Sequence, residues 1–141
     1  MTEIKVVLDE GAYMPERAHD ADAGLDLRAR HTVAIPPGGS ATIDTGVHME
    51  IPEGYFGKLE SKSGLNVKHS VVSHGGVIDS GYTGSIVAKL YNHGNEPFVF
   101  SDGEKCIQII IQPCENRMTL TRVDSLEETE RGDGGFGSTG R

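Results

Sequence analysis

Short apolar runs alternate with turn-forming residues along most of the chain. At roughly ten-residue spacing this is the pattern of many short strands, not of long amphipathic helices. It predicts strands over 4–8, 24–29, 32–35, 41–51, 55–60, 71–73, 77–79, 85–92, 98–100, 105–112 and 118–123. The first alternates only loosely, as an edge or exchanged strand does. Pro36-Pro37-Gly38-Gly39, Pro52-Glu53-Gly54, Gly75-Gly76 and Gly81 punctuate the runs. One brief helical turn is predicted over Ser63–His69. The expected class is all-β, a jelly roll or distorted β-barrel with one short helix, and the chain carries no internal repeat.

Residues 107–111 are apolar on both strand faces apart from Gln108. Such a strand needs cover on both sides. Burial at the centre of an oligomer supplies it, and a thick sandwich core is the alternative. Cys106 and Cys114 lie in the same region. Along a strand their separation is roughly 26 Å, beyond disulfide reach, so reduced core thiols are expected.

Composition sharpens this reading. Val, Ile and Thr total 30 against 16 for Leu and Ala, a bias toward strands. The 141 residues suit one domain. The net charge of −8 disfavours a general nucleic-acid coat, although a local site for one small phosphate ligand can oppose that field. No apolar run reaches membrane-span length and residues 1–10 lack a signal-peptide pattern, so a cytoplasmic protein with no membrane or nucleic-acid partner is expected. Of 19 glycines, five fall in the last ten residues, after an acidic stretch over 124–130. Residues 1–123 therefore read as the β domain, and 124–141 as an acidic linker and flexible Gly-rich arm.

That arm runs Arg131-Gly-Asp-Gly-Gly-Phe136-Gly137-Ser138-Thr139-Gly-Arg141. Glycines bring main-chain N–H groups close to an anion, and Ser138 and Thr139 add hydroxyl donors. Arg131 and Arg141 add charge, the latter outside the residues the structure describes, and Phe136 a face that stacks on a base. Together they point to a nucleotide; a merely flexible terminus is the alternative. In Gly76-Val77-Ile78-Asp79-Ser-Gly-Tyr82, Asp79 ends an apolar strand at a turn. A carboxylate there serves as general base for an attacking water, or else bonds its own turn. Glu60-Ser61-Lys62-Ser63-Gly64 opens the helical turn and suits phosphate oxygens; ordinary capping by Ser61 or Ser63 is the alternative. Asp26, in Ala23-Gly-Leu-Asp26, and Gln108, in an apolar strand, are candidates for metal-bound water and for a hydrogen-bonded site group. Satisfaction within the core is the alternative for both. The six histidines show no metal-ligand pairing; His69 and His74 lie near the candidate site but suit a solvated surface.

These five segments, in this order from about Ala23 to the C-terminus, resemble the five motifs of the trimeric dUTP pyrophosphatases (dUTPases). The resemblance implies a jelly-roll homotrimer whose three sites each use residues of all three subunits. It implies hydrolysis of dUTP to dUMP and pyrophosphate with Mg²⁺ carried on the substrate phosphates, a reaction that limits uracil in DNA and supplies dUMP for thymidylate. Asp26 would support water around that metal. Lys62, Ser63, Gly64 and Gln108 would contact or position phosphates. Gly75, Gly76, Val77 and Ile78 would form a β-hairpin reading the uracil edge, Asp79 would activate water, and Tyr82 would pack on the deoxyribose. Arg131 would orient the arm, Phe136 cover the uracil, and Gly137, Ser138 and Thr139 hold the γ-phosphate. The chain departs from the family pattern at Lys62, where Arg is typical, at Ile107, where a small residue usually precedes the Gln, and at Gly81, where an acidic residue is common. A dCTP deaminase of the same fold and a non-catalytic nucleotide-binding regulator remain as rival readings.

Overall fold

A computed structural model describes residues 3–140. Eleven strands and one helix follow in order. They are β1 (Lys5–Leu8), β2 (Gly24–Arg28), β3 (Val33–Ile35), β4 (Ser40–Asp44), β5 (Val47–Glu50), β6 (Tyr55–Glu60), α1 (Ser63–His69), β7 (Val71–Ser73), β8 (Val77–Ile78), β9 (Val87–Asn92), β10 (Phe98–Phe100) and β11 (Lys105–Pro113). A four-stranded sheet has the order β2-β11-β6-β8 and a three-stranded one β4-β9-β7; β1 pairs β5 and β10 pairs β3. The fold is a distorted jelly roll whose sheets do not close into a barrel.

The strands exist because alternate side chains find one shared interior. On β9, Ala88 and Leu90 point inward while Val87 and Lys89 face out. They meet Leu27, Ile35, Ile43, Val47, Leu59 and Phe100 in a single core. Buried polar groups are satisfied there. Asn92 donates to the carbonyls of Ile35 at 3.0 Å and Glu96 at 2.8 Å, and accepts from Gly94 N–H at 2.9 Å. This stitches the end of β9 to β3, since an unpaired buried amide is costly.

β11 is the central strand of the larger sheet, between β2 and β6. Ile107 and Ile109 are fully buried in the chain's own core, whereas Gln108 and Ile110 on the other face are half-buried. Its second face is thus only partly covered. Cys106 is buried, donates toward the Leu27 carbonyl, and has its thiol pushed up to about 12 by burial. Cys114 is half-buried, not in the core.

Two expectations need correction. Residues 118–123 form no strand: none of the described residues of this chain pairs with them, and Met118, Leu120 and Val123 stand exposed. Nor do β7 and β8 pair with each other. β7 pairs with β9 and β8 with β6, so the hairpin expected at 75–78 is instead part of an open corner between two sheets. Gly75 and Gly76, at φ 93° and 147°, turn that corner. Among the described residues no helix is long and apolar enough to cross a membrane.

Candidate active site

Strand register builds the first part of the site. Asp26 on β2, Gln108 on β11 and Glu60 on β6 are successive cross-strand partners, so their side chains form a row across three strands. The chain leaves β6 through Ser61 and Lys62 into α1. Gln108 donates from Nε2 to the Ser61 carbonyl at 2.9 Å. Ser61 Oγ in turn accepts from Ser73 N–H at 2.8 Å and donates to the Ser73 carbonyl. Ser61 therefore ties the start of α1 to β7 and is not a helix cap. Lys62 occupies the N-cap position without a side-chain cap bond, and Ser63 and Gly64 are exposed in the first turn.

Asp26 is buried, and both its oxygens are taken. Lys62 Nζ bonds Oδ1, and Lys105 Nζ lies 3.1 Å from Oδ2. Burial alone would raise this carboxyl, but the bonds and charges of Lys62 and then Lys105 outweigh it and hold it below the usual carboxylate range. Asp26 thus acts in this chain as the shared counter-ion of two lysines. Ile107, beside Gln108, points to the opposite face and fills the core, so its bulk does not crowd the Gln108 amide.

The second part lies across the sheet. Asp79 follows β8 at an exposed turn closed by Tyr82 N–H donating to the Asp79 carbonyl at 3.0 Å. Among the described residues no donor bonds its carboxylate. Tyr82 donates its hydroxyl to the Ser85 carbonyl at 2.7 Å. Its ring can fold back this way because residue 84 is glycine: a Cβ there would lie 2.5 Å from the Tyr82 oxygen. Val77, Ile78, Asp79, Tyr82, Ser85 and Val87 line a pocket of about 180 Å³. Gly75, Gly76 and Val77 are exposed beside it, and Ile78 anchors the corner in the core.

The third part is the arm. Arg131 donates to the Gly134 carbonyl at 2.8 Å, and Gly132, Gly134, Ser138 and Gly140 make short turns within residues 129–140. Phe136 is fully exposed at φ 50°. Arg131, Gly134, Ser138 and Thr139 share one concave surface; Gly137 continues the turn at φ 90°.

One chain does not unite these parts. The register places Asp79 level with Phe56, four residues from Glu60 along β6. That is roughly 13 Å, with Lys62 further still. Sequence reasoning missed Ser61, Lys105 and Gly24. The signal for Lys105 was a lone cation entering an apolar strand; Gly24 shows its role only against Gln108.

A dUTPase family model matches residues 10–140. A deoxyuridine 5'-triphosphate nucleotidohydrolase of Crocosphaera subtropica is 41% identical over 141 residues, covering 98% of this chain and 99% of that protein. Among solved structures, a dUTPase of Staphylococcus bacteriophage 80alpha with dUpNHpp superposes with a TM-score of 0.92 at 31% identity over 100% of both chains. A dUTPase from phage phi11 of S. aureus, described with a structural Mg(II) ion, superposes with a TM-score of 0.83 at 31% identity, covering 90% of this chain and all of that one. Matched from its tenth residue to the end of its glycine arm, and alike in fold throughout, this chain belongs to the dUTPase family.

Proposed function

We propose that this protein hydrolyses dUTP to dUMP and pyrophosphate by water attack on the α-phosphate. The observation that carries the reading is Asp79: an exposed carboxylate without an internal donor, at the mouth of a pocket it shares with Tyr82. A base must be within hydrogen-bond reach of its water, and this one is not engaged elsewhere. The relative from Crocosphaera bears the name of this activity, and the phage 80alpha enzyme was solved with a dUTP analogue.

The remaining roles are those that the resemblance to the dUTPase motifs implies. Lys62, Ser63 and Gly64 receive phosphate oxygens at the start of α1, and Gln108 braces that segment through Ser61. The open corner at 71–78 presents main-chain groups to the uracil edge, while Tyr82 lies against the sugar. Arg131 and Phe136 bring the arm over the base, with Gly137, Ser138 and Thr139 around the γ-phosphate. Residues 1–123 serve as the rigid domain and 124–141 as linker and arm. Among the described residues no three His, Cys, Asp or Glu side chains converge on one point. Mg²⁺ would come with the substrate, carried by phosphate oxygens and water, and would offset repulsion between the triphosphate and a protein of charge −8.

The separation of Asp79 from Lys62 along β6 supports a shared site in a homotrimer. One copy supplies Asp79, another Lys62 and Gln108, and an arm closes over both. Light scattering should give three times the 15.1 kDa of one chain; an active monomer contradicts the shared site. The decisive assay is pyrophosphate release across the deoxy- and ribonucleoside triphosphates. Release from dUTP alone supports the reading. Ammonia release from dCTP, or dUTP binding without turnover, overturns it.

A further inference from the structure

His48, on β5, sits between two acceptors. Its Nδ1 lies 2.8 Å from the Thr83 carbonyl and its Nε2 lies 3.0 Å from Asp9 Oδ1. A carbonyl has no proton to give, so Nδ1 donates. An ionised carboxylate has none either, so Nε2 donates too. Both contacts are hydrogen bonds only when the ring is an imidazolium. Thr83 is the neighbour of Tyr82, in the loop that leads from Asp79 to β9.

The other end of that loop is held by the same network. Ser85 Oγ donates to Asp44 Oδ1 and accepts from Gly46 N–H at 3.1 Å. Arg30 spans the two carboxylates, with Nη2 3.8 Å from Asp9 and 3.4 Å from Asp44. The charged groups around His48 are thus Asp9 beyond β1, Arg30 beyond β2, Asp44 at the end of β4, and Lys5 and Glu50, which pair with each other at 3.7 Å. Among the described residues, Thr83 is the loop residue whose anchor in this network is a histidine ring.

We propose that His48 is a positioning residue for the hydrolytic site: its imidazolium clamps the Thr83 carbonyl against Asp9 and so fixes the loop bearing Asp79 and Tyr82. Loss of the proton leaves one N–H, which the charged Asp9 carboxylate holds in preference to the neutral carbonyl, so Nδ1 turns a lone pair toward Thr83 and the loop loosens. The bond to Thr83 and then the carboxylate of Asp9 raise the imidazole above its ordinary range, against a smaller opposing effect of burial, so the clamp persists through neutral pH. The inference rests on Asp79 and Tyr82 being the working groups.

The test uses the full chain. The His48 ring and the amides of Tyr82, Thr83 and Gly84 are followed by NMR from pH 6 to 9, with kcat and KM for dUTP measured over the same range. The three amides should titrate with the ring. The kcat should fall about fivefold above that pH, the worth of one ordinary hydrogen bond, with KM nearly unchanged. His48→Ala should be low at every pH. His48→Gln, which retains one donor for Thr83, should restore most of kcat and lose the pH limb. Amides that stay still while the ring titrates, or a His48→Ala enzyme with the wild-type profile, overturn the proposal. If His48→Ala does not fold, a wild-type pH limb in His48→Gln does so instead. Asp79→Asn is run in parallel: its full activity would defeat the assignment of the base, while the NMR coupling would still decide the role of His48.

Discussion

Gln108 fills the space beside Gly24 that a side chain there would take: a Cβ on Gly24 would collide with Gln108 Oε1 and stand 3.1 Å from its Cβ. The glycine is thus the seat of the glutamine amide that holds the Ser61 carbonyl. Gly24→Ala should push the amide out and free the segment leading to Lys62. Overpacking of this kind costs about 1–3 kcal/mol, so the variant should fold and melt a few degrees lower. Misplaced phosphate contacts should lower dUTP turnover about tenfold. Gln108→Ala should give a similar loss without the overpacking. A Gly24→Ala enzyme with normal turnover would show that the position of Gln108 is immaterial.

Asp79→Asn preserves shape and removes the base. Calorimetry with a non-hydrolysable dUTP analogue should show near-normal affinity. Turnover should fall by about 10²-fold or more, the usual contribution of a positioned general base. Undiminished turnover would remove Asp79 from the mechanism.

Asp26 makes a pH-dependent contribution whose sign is fixed by its partners. Its folded pKa lies below the unfolded carboxylate value, because Lys62 and Lys105 overcome the effect of burial. The stabilisation is complete above roughly pH 4, the unfolded value, and vanishes as pH falls through the lower folded value. Asp26→Asn should lose about 2 kcal/mol near neutrality, as for hydrogen bonds to a charged group. Urea melts should show a constant gap to wild type from pH 5 to 7, narrowing in more acid solution. A gap that persists undiminished at low pH would mean the carboxylate's charge is not what holds the lysines.

The elements were legible where local pattern and tertiary packing agree. α1 spans Ser63–His69 as expected, and β6, β7 and β10 match their predicted runs. At 118–123 local pattern misled, because alternating Met118 and Leu120 resemble a strand but no strand lies alongside to pair with them. The corner at 71–78 was misjudged for a related reason: a turn between two short runs does not reveal which neighbours those runs select. The contact between Asp26 and Lys105 was invisible because it spans distant parts of the chain and depends on sheet register. Membership of the dUTPase family was legible, since its motifs are written in short contiguous segments.

The arm yields the most demanding prediction. Ordering a chain costs about 1–2 kcal/mol per residue, glycine at the high end, so ten residues cost on the order of 10–20 kcal/mol. Among the described residues, 129–140 bond only one another, and Phe136 is fully exposed. Closure over a nucleotide therefore needs several charge-assisted bonds, each about 1.5–3 kcal/mol, and stacking by Phe136 of roughly 1–3 kcal/mol. Those partners exist only when a triphosphate is present. The segment from Arg131 onward should exchange its amides rapidly in the free enzyme and become protected with a dUTP analogue. A chain ending at Glu130 should keep its melting temperature, because the arm adds nothing to the core, yet lose most turnover. Phe136→Ala should be milder, losing the stack but keeping the phosphate contacts. If the shortened chain hydrolyses dUTP as fast as the full one, the glycines form only a flexible terminus and the arm has no part in the site.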